Sequence, residues 1–549
     1  MNRYKNIRNA FAILVTVAGV SCTKLDQKLN STLTQSQAAN ALGANGTALL
    51  LQTAYTDVGN PYSDLGNIFS LEEVVGDECL VPTRGGDWDD NGKWRALHQH
   101  TWGVDGVDAI LNQYNSLNKI NFDATNVLAF NPSDQQASEA RFLRALALYQ
   151  LLDLYGQYPF RNPGDNLLNA PKVLSGQEAI DFIISELTAI LPKLPATNPS
   201  NLANPDAVKF LLMKCYLNKG AFLNRASPSF ADADMQQVIT LGNQIINSGK
   251  YSYTKNFFKN FGPDNSTASS EGIFTYANYS GVATGNSGIQ NRWWATVHYN
   301  QYDKYAPQAG WNGFSTVADF YNTFSLTGST HQNLSDSTLD LRIGERYYPG
   351  CTNISGIRPG MLIGQQYDEH GTPLKDRKGN PLAYTPNIAN DLKETGNNLE
   401  LTGIRVVKYP PDFSNNGANY TGGTSGNWCM IFRYADAVLM VAEAKMRAAA
   451  ADNAGALALV NDLRTSRGAT PLAAMTLVNT SNVYDPNTLL AERGREMYWE
   501  QVRRTDLIRF GVFLKPWAYK STDDPKYLVF PIPTPALAAN PNLKQNPGY

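Results

Sequence analysis

Glu139-Ala140-Arg141-Phe142-Leu143-Arg144-Ala145-Leu146-Ala147-Leu148-Tyr149-Gln150-Leu151-Leu152-Asp153-Leu154-Tyr155 is the stretch that decides the fold class. Ala140, Leu143, Ala147, Leu151 and Leu154 recur at steps of three and four, which places them on one face of an α-helix. Arg141, Arg144 and Asp153 lie off that stripe. Leu146, Leu148 and Tyr149 widen the apolar face, so the spacing predicts a helix buried on most sides. Gly156 can end it, and Pro159 makes continuation costly.

Working outward, similar periodicity predicts helices over Val107–Lys119, Gln177–Leu191, Pro205–Phe222 and Met235–Ser248. Asn204 is a good N-cap and Pro205 suits the first turn. Such successive helices suggest a helical-repeat scaffold, although no strict self-similarity at ~34 residues is visible. From about residue 256 to 430 the texture changes. Gly, Asn, Ser, Thr and Tyr dominate, as in Ser280–Gly288 and Tyr420–Asn427, and long loops with short elements are expected. Helices return in Arg433–Ala450, where Ala435, Val438, Leu439, Ala442 and Met446 share one face. Glu443 and Arg447 form an i,i+4 pair on the other. A second helix is expected from Asp452 and Asn453 to Arg467, closed by Gly468, and a third from Pro486 to Arg503. Pro531, Pro533, Pro535, Pro541 and Pro547 mark the tail, Phe530–Tyr549, as extended.

The other end carries Arg3, Lys5 and Arg8, then a mostly apolar run from Ala10 to Val20, then Ser21 and Cys22. Charged, apolar, small is the order of a secretory leader. An apolar helix of that length rises only about 16 Å, against a bilayer core of about 30 Å, so it cannot span a membrane. A cysteine at the end of such a run is what lipoprotein processing needs. Residues 1–21 are therefore expected to be a lipoprotein signal peptide and Cys22 the lipidated residue. Residues 22–40, with Asn30, Ser31, Thr32, Thr34 and Ser36, would form a lipid-anchored tether to the membrane. The formal net charge of −2, with no large single-sign block, gives no support for a nucleic-acid partner. Cys79, Cys215, Cys351 and Cys429 form no CxxC and are expected mostly as buried thiols.

Four C-terminal stretches occur in a fixed order. They are Arg433-Tyr434-Ala435-Asp436-Ala437-Val438-Leu439-Met440 with Ala442-Glu443-Ala444; Val460-Asn461-Asp462-Leu463-Arg464 with Arg467-Gly468; Glu492-Arg493, Glu496-Met497 and Glu500 with Arg503-Arg504-Thr505-Asp506-Leu507-Ile508-Arg509-Phe510-Gly511; and Pro531-Ile532-Pro533 with Asn540-Pro541-Asn542-Leu543 and Gln545-Asn546-Pro547-Gly548-Tyr549. Together they resemble the SusD/RagB family of outer-membrane glycan-binding lipoproteins, and Glu139–Tyr155 looks like that family's long N-terminal helix. The resemblance implies a mainly α fold: a tetratricopeptide-like helical repeat scaffold with an irregular, loop-rich lobe. Residues 41–255 would be the N-terminal helical region, and 256–549 the C-terminal region with the ligand-binding lobe and final helices. It also implies a non-catalytic protein on the cell exterior, without cofactor. Such a protein captures oligo- or polysaccharide and passes it to a SusC-like TonB-dependent transporter. A lid for non-glycan cargo such as peptides, or a glycoside hydrolase, is the alternative.

Aromatic rings offer flat faces to the apolar C–H faces of sugars, and Arg, Asp and Asn bind hydroxyl edges. The Gly-punctuated run Thr83–Trp102 holds Arg84, Asp87, Trp88, Trp94 and Trp102, and resembles a segment of the family's sugar site. Trp293, Trp294, Tyr299, Tyr302, Tyr305 and Trp311, with Asn291, Asn300 and Asn312, form a second aromatic run. Its Gly310-Trp311-Asn312-Gly313 resembles a family loop motif. Arg84, Asp87, Trp88, Trp94, Trp102, Tyr299, Trp311 and Asn312 are the candidate ligand contacts; the bland alternative is that many of these rings plug the core. His98 and His100 lack a matching third ligand, so no metal site is expected. Glu492, Glu496 and Glu500 could be read as a hydrolytic pair, which needs separations of about 5.5 Å or 6.5–9.5 Å. The neighbouring Arg493, Arg495, Arg503 and Arg504 instead predict ion-paired, ionised carboxylates, unsuited to a general acid.

Overall fold

The computed structural model describes residues 45–282, 288–301, 310–324, 340–344, 357–368, 370–411 and 425–549. Thr47–Tyr549 is one compact unit. The expected leader, tether and Cys22, together with Tyr302, Tyr305 and Cys351, lie outside the described residues.

Numbering only helices of seven residues or more, the described chain contains α1 (Gly46–Asp57), α2 (Asp108–Ala129), α3 (Asp134–Tyr155), α4 (Gly176–Ile190), α5 (Pro205–Leu223) and α6 (Asp232–Ile246). After the lobe come α7 (Tyr434–Arg447), α8 (Asn453–Ser466), α9 (Leu489–Met497) and α10 (Arg503–Arg509). Helix α3 starts on a capping box between Ser133 and Gln136 and stops at Gly156, whose φ of 71° is left-handed. Every residue from Ser138 to Tyr155 except Arg141 is buried, as its composition predicts. Asn204 caps α5 by accepting from the N–H groups of Asp206 and Ala207. Each helix packs on its successor from α2 through α8. The array therefore continues from α6 directly onto α7, although almost two hundred residues separate them in sequence.

The intervening segment is an excursion between two paired strands. Gly272–Tyr276 pairs antiparallel with Cys429–Arg433, so the lobe leaves and rejoins the helices at one place. Within it, Gly360–Leu362 pairs with Arg405–Val407.

Buried ion pairs fasten the lobe to the helices. Glu496 meets Arg433 at 2.7 Å, Arg467 at 2.8 Å and Arg342 at 3.1 Å. Glu492 meets Arg464 at 2.5 Å, Arg495 at 2.6 Å and Arg342 at 2.8 Å. Burial by itself raises a carboxyl pKa, but these guanidinium groups hold both residues well below the carboxylate range. Ionisation is as expected, yet most partners differ. Only Arg495 comes from the same stretch. Arg493 holds Asp436 and Asp506, Arg503 holds Asp77, and Arg504 lies beside Asp153. The Glu443–Arg447 pair forms at 2.8 Å, but Glu443 is buried and also grips Arg509 at 2.8 Å.

Two expected elements are corrected. The single helix over Pro486–Arg503 is interrupted after Met497, where Trp499 and Gln501 take φ of 60° and 66°. Buried Glu78 and Glu73 accept the N–H groups of Trp499 and Val502, both at 3.0 Å, and so divert the backbone before α10 starts. In the tail, Thr534–Ala539 forms a short helix with Pro535 in its first turn, where no N–H is needed. The rest of the tail closes over the end of α3. Phe530 N–H donates to Leu154 O at 2.8 Å, and Asn546 Nδ2 to Tyr155 O at 3.0 Å. Cys79, Cys215 and Cys429 are buried free thiols, as expected.

Candidate functional site

Two loops meet where the first helical elements touch the lobe. Thr83–Arg84 pairs in parallel with Lys393–Glu394, and Leu80 bridges Ser315. Arg84 and Asp87 exchange backbone hydrogen bonds of 2.8 and 3.2 Å, a tight turn that pushes Gly85, Gly86 and Asp87 into solvent. Beyond it, Trp88, Asp90 and Asn91 adopt φ of 59°, 40° and 55°. Left-handed backbone at non-glycine residues costs about 1–2 kcal/mol each, and such strain concentrates at functional sites.

The Trp88 indole N–H donates to Trp311 O at 2.7 Å. Its ring stands edge-on to Phe314 and Trp94, with centroids 5.5 and 5.9 Å away. This close fit requires Gly313, because a Cβ there would lie 2.3 Å from Trp88 Cε2. Gly310 is equally constrained, its Cβ falling 2.3 Å from Val297 O. The Gly-Trp-Asn-Gly motif is thus spaced so that one tryptophan displays its ring while the other loop's tryptophan crosses its backbone.

Tyr299 adjoins this pair. Its hydroxyl donates to the Asp87 carboxylate, and burial together with that carboxylate pushes its pKa up to about 12. The Arg377 guanidinium covers the Tyr299 ring 3.9 Å from its centroid. Arg377 is held in turn by Glu400, which accepts from its Nε at 2.7 Å and its backbone N–H at 3.1 Å. Glu400 also accepts from His298 Nε2 at 2.8 Å. His298 Nδ1 accepts the Asn300 N–H at 2.9 Å, which fixes the neutral tautomer; burial lowers its pKa to about 4. Burial raises the Glu400 pKa, but Arg377 and His298 outweigh it and hold the carboxyl below its ordinary value.

Asp87, Trp88, Tyr299 and Trp311 are therefore brought together with open edges or faces: Asp87 is exposed and the three rings are half-buried. Arg84, Trp94 and Asn312, offered by the sequence as further contacts, sit behind that surface, and Trp102, also offered, lies away from it. Arg84 is buried and donates to Thr402 O at 2.8 Å and Leu399 O at 3.1 Å. Asn312 is buried and accepts from Arg405 Nη2 at 2.8 Å. Both brace the loops from beneath. Trp94 is 6% exposed, with its indole N–H on Asp90 at 2.6 Å. Trp102 belongs to another cluster, its N–H on the Tyr549 hydroxyl at 2.8 Å and its ring against Tyr527 and Phe530. Trp293 and Trp294 are likewise core. Both histidines of the first run are buried: His98 contacts the Cys79 and Ala518 carbonyls, and His100 contacts Asp523 and Val75 O.

Sequence reading missed Arg377, Glu400 and His298. The run Asp376-Arg377-Lys378-Gly379-Asn380 does signal a turn, which Asp376 closes by accepting from the Lys378 and Asn380 N–H groups at 2.9 and 2.8 Å. Nothing in it signals that the turn abuts Tyr299.

A family model described as the SusD family matches residues 270–549. The chain is 25% identical over 514 residues to the starch-binding protein SusD of Bacteroides thetaiotaomicron, covering 88% of this chain and 85% of that protein. Its fold is similar to that of surface glycan-binding protein A from Bacteroides thetaiotaomicron, solved in complex with laminarihexaose. There the TM-score is 0.65 at 14% identity, over 92% of this chain and 99% of that chain. A laminarin-binding SusD-like protein gives a TM-score of 0.64 at 18% identity, over 92% of this chain and 99% of that chain. With a family match over the C-terminal half and the same architecture over nearly the whole length, this chain belongs to the SusD family.

Proposed function

We propose that the chain is a non-catalytic glycan-binding lipoprotein of the outer membrane. It captures oligo- or polysaccharide outside the cell and passes it to a SusC-like TonB-dependent transporter. The observation that carries this reading is the interlock of Trp88 and Trp311, from loops far apart in sequence, beside Asp87, Tyr299 and Arg377. Half-open rings supply stacking faces, and the carboxylate and guanidinium supply hydroxyl partners. The relatives named for starch and laminarin binding support the same ligand class.

Affinity gels with starch and laminarin test the site. Trp88→Ala and Trp311→Ala are expected to weaken retention at least tenfold while the helical circular dichroism shows the protein still folded; unchanged retention by both would remove the site from this surface. The enzymatic reading is disfavoured because Glu492 and Glu496 are buried, Glu500 is partly buried, and all three are engaged by arginine or lysine. No described helix is long and apolar enough to cross a membrane. Anchoring is assigned to Cys22, and palmitate labelling should disappear in Cys22→Ala.

A further inference from the structure

A second cleft, of about 500 Å³, shares no residue with the Trp88–Trp311 surface. It opens between α1, the start of α3, the loop before α5 and the end of strand Gly272–Tyr276. Its aromatic wall is Tyr55, Phe274, Tyr276 and Tyr279. Tyr279 is 51% exposed, and its other neighbour is the edge of Trp428, with centroids 6.1 Å apart. Tyr55 is fixed: its hydroxyl donates to Glu139 Oε2 at 2.7 Å and accepts the Ala203 N–H at 2.9 Å. Glu139 is the single ionisable carboxylate of the lining, and its other oxygen accepts from Gln135 at 2.9 Å. The amides of Gln52, Gln136 and Asn201 complete the polar rim.

An open aromatic face with rim amides forms a surface for an uncharged, polyhydroxylated ligand. No Lys or Arg lines the cleft to meet an anion, the Glu139 carboxylate is buried with both oxygens already accepting, and amides both donate to and accept from hydroxyls. We propose that this cleft is a second carbohydrate site, taking an uncharged sugar unit against Tyr279. The inference rests on the glycan-binding reading of the chain. Two sites on one chain would engage a long polysaccharide with a higher effective concentration than either alone.

Retention of neutral polysaccharides, with laminarin and starch as probes, tests this on four proteins, with Tyr279→Phe as a control. These are wild type, Tyr279→Ala, the double variant Trp88→Ala/Trp311→Ala, and the triple variant. The expected result is residual retention in the double variant that vanishes in the triple. Tyr279→Ala alone should lose several-fold for polysaccharide, with retention restored in Tyr279→Phe. Tyr279 is half in solvent, so melting temperatures should match. If wild type is retained and the double variant is not, the second site is overturned while the first stands. Equal retention of Tyr279→Ala and its parent in both backgrounds overturns it too. No retention of wild type by any neutral glycan overturns the underlying reading as well.

Discussion

His298 shows how one residue couples burial, loop geometry and pH. Its ring is buried between the Asn300 N–H and Glu400, so it can stay in place only as the neutral tautomer. The folded pKa of about 4 lies below the ordinary value of 6.5. The folded state therefore binds fewer protons than the unfolded one between those values. Its contribution is complete above pH 6.5 and is lost as pH falls toward 4, by about 1.4 kcal/mol per pH unit. Glu72 and Glu73, raised chiefly by burial, act in the opposite sense, so the effect must be read as a difference. Urea midpoints of wild type and His298→Gln should converge as pH is lowered from 7 to 4.5; a constant gap would contradict the assignment. Trp102 and Trp88 make the companion point. The same residue type in the same run serves the core at one position and the surface at the other. The difference is whether the Tyr549 hydroxyl of the tail or the Trp311 carbonyl at the rim accepts the indole N–H.

At the scale of elements, the loops are held as firmly as the helices. Gly313 lies under Trp88, and a methyl group there would also fall 2.8 Å from Ala295 O. Gly313→Ala should therefore displace Trp88 and cost glycan affinity tenfold or more. The helical circular dichroism should be unchanged, because no helix touches that methyl. Retained affinity would mean that Trp88 is not a contact. Helix boundaries were legible where caps are local. Ser133, Gly156 and Asn204 act within a few residues of the ends they define. The break after Met497 was not legible, because the carboxylates that cause it, Glu73 and Glu78, lie more than four hundred residues away.

The whole molecule depends on the charged core between lobe and helices. Removing one carboxylate from a buried network strands its partners and costs about 3–5 kcal/mol. Glu496→Ala would leave Arg433, Arg467 and Arg342 short of a shared counter-ion, and chemical denaturation should show a loss of that size. Chromatography of polysaccharide incubated with wild type should show no new reducing ends. Products that disappear in Glu496→Gln would restore the hydrolytic alternative. The same network explains why the family motifs around Arg433, Arg464, Arg467, Glu492 and Glu496 occur together. They are parts of one buried cluster drawn from the start of α7, α8 and α9.

The sequence by itself determined most of the long helices, because apolar spacing and capping are local and the 3.6-residue period records which face is buried. It also pointed to both loops of the candidate site, through the clustering of glycine, aromatic and carboxylate residues. Tertiary structure alone decided which rings are displayed. Trp88, Tyr299 and Trp311 reach the surface while Trp94, Trp102, Trp293 and Trp294 fill the interior. It also placed Arg377 over Tyr299 and closed the helical array by setting α6 on α7. Such choices are made by partners remote in the chain, and no local pattern records a remote partner. Glu139–Tyr155 marks the limit on both sides: its burial was written in its own leucines, but the tail that covers its end was not.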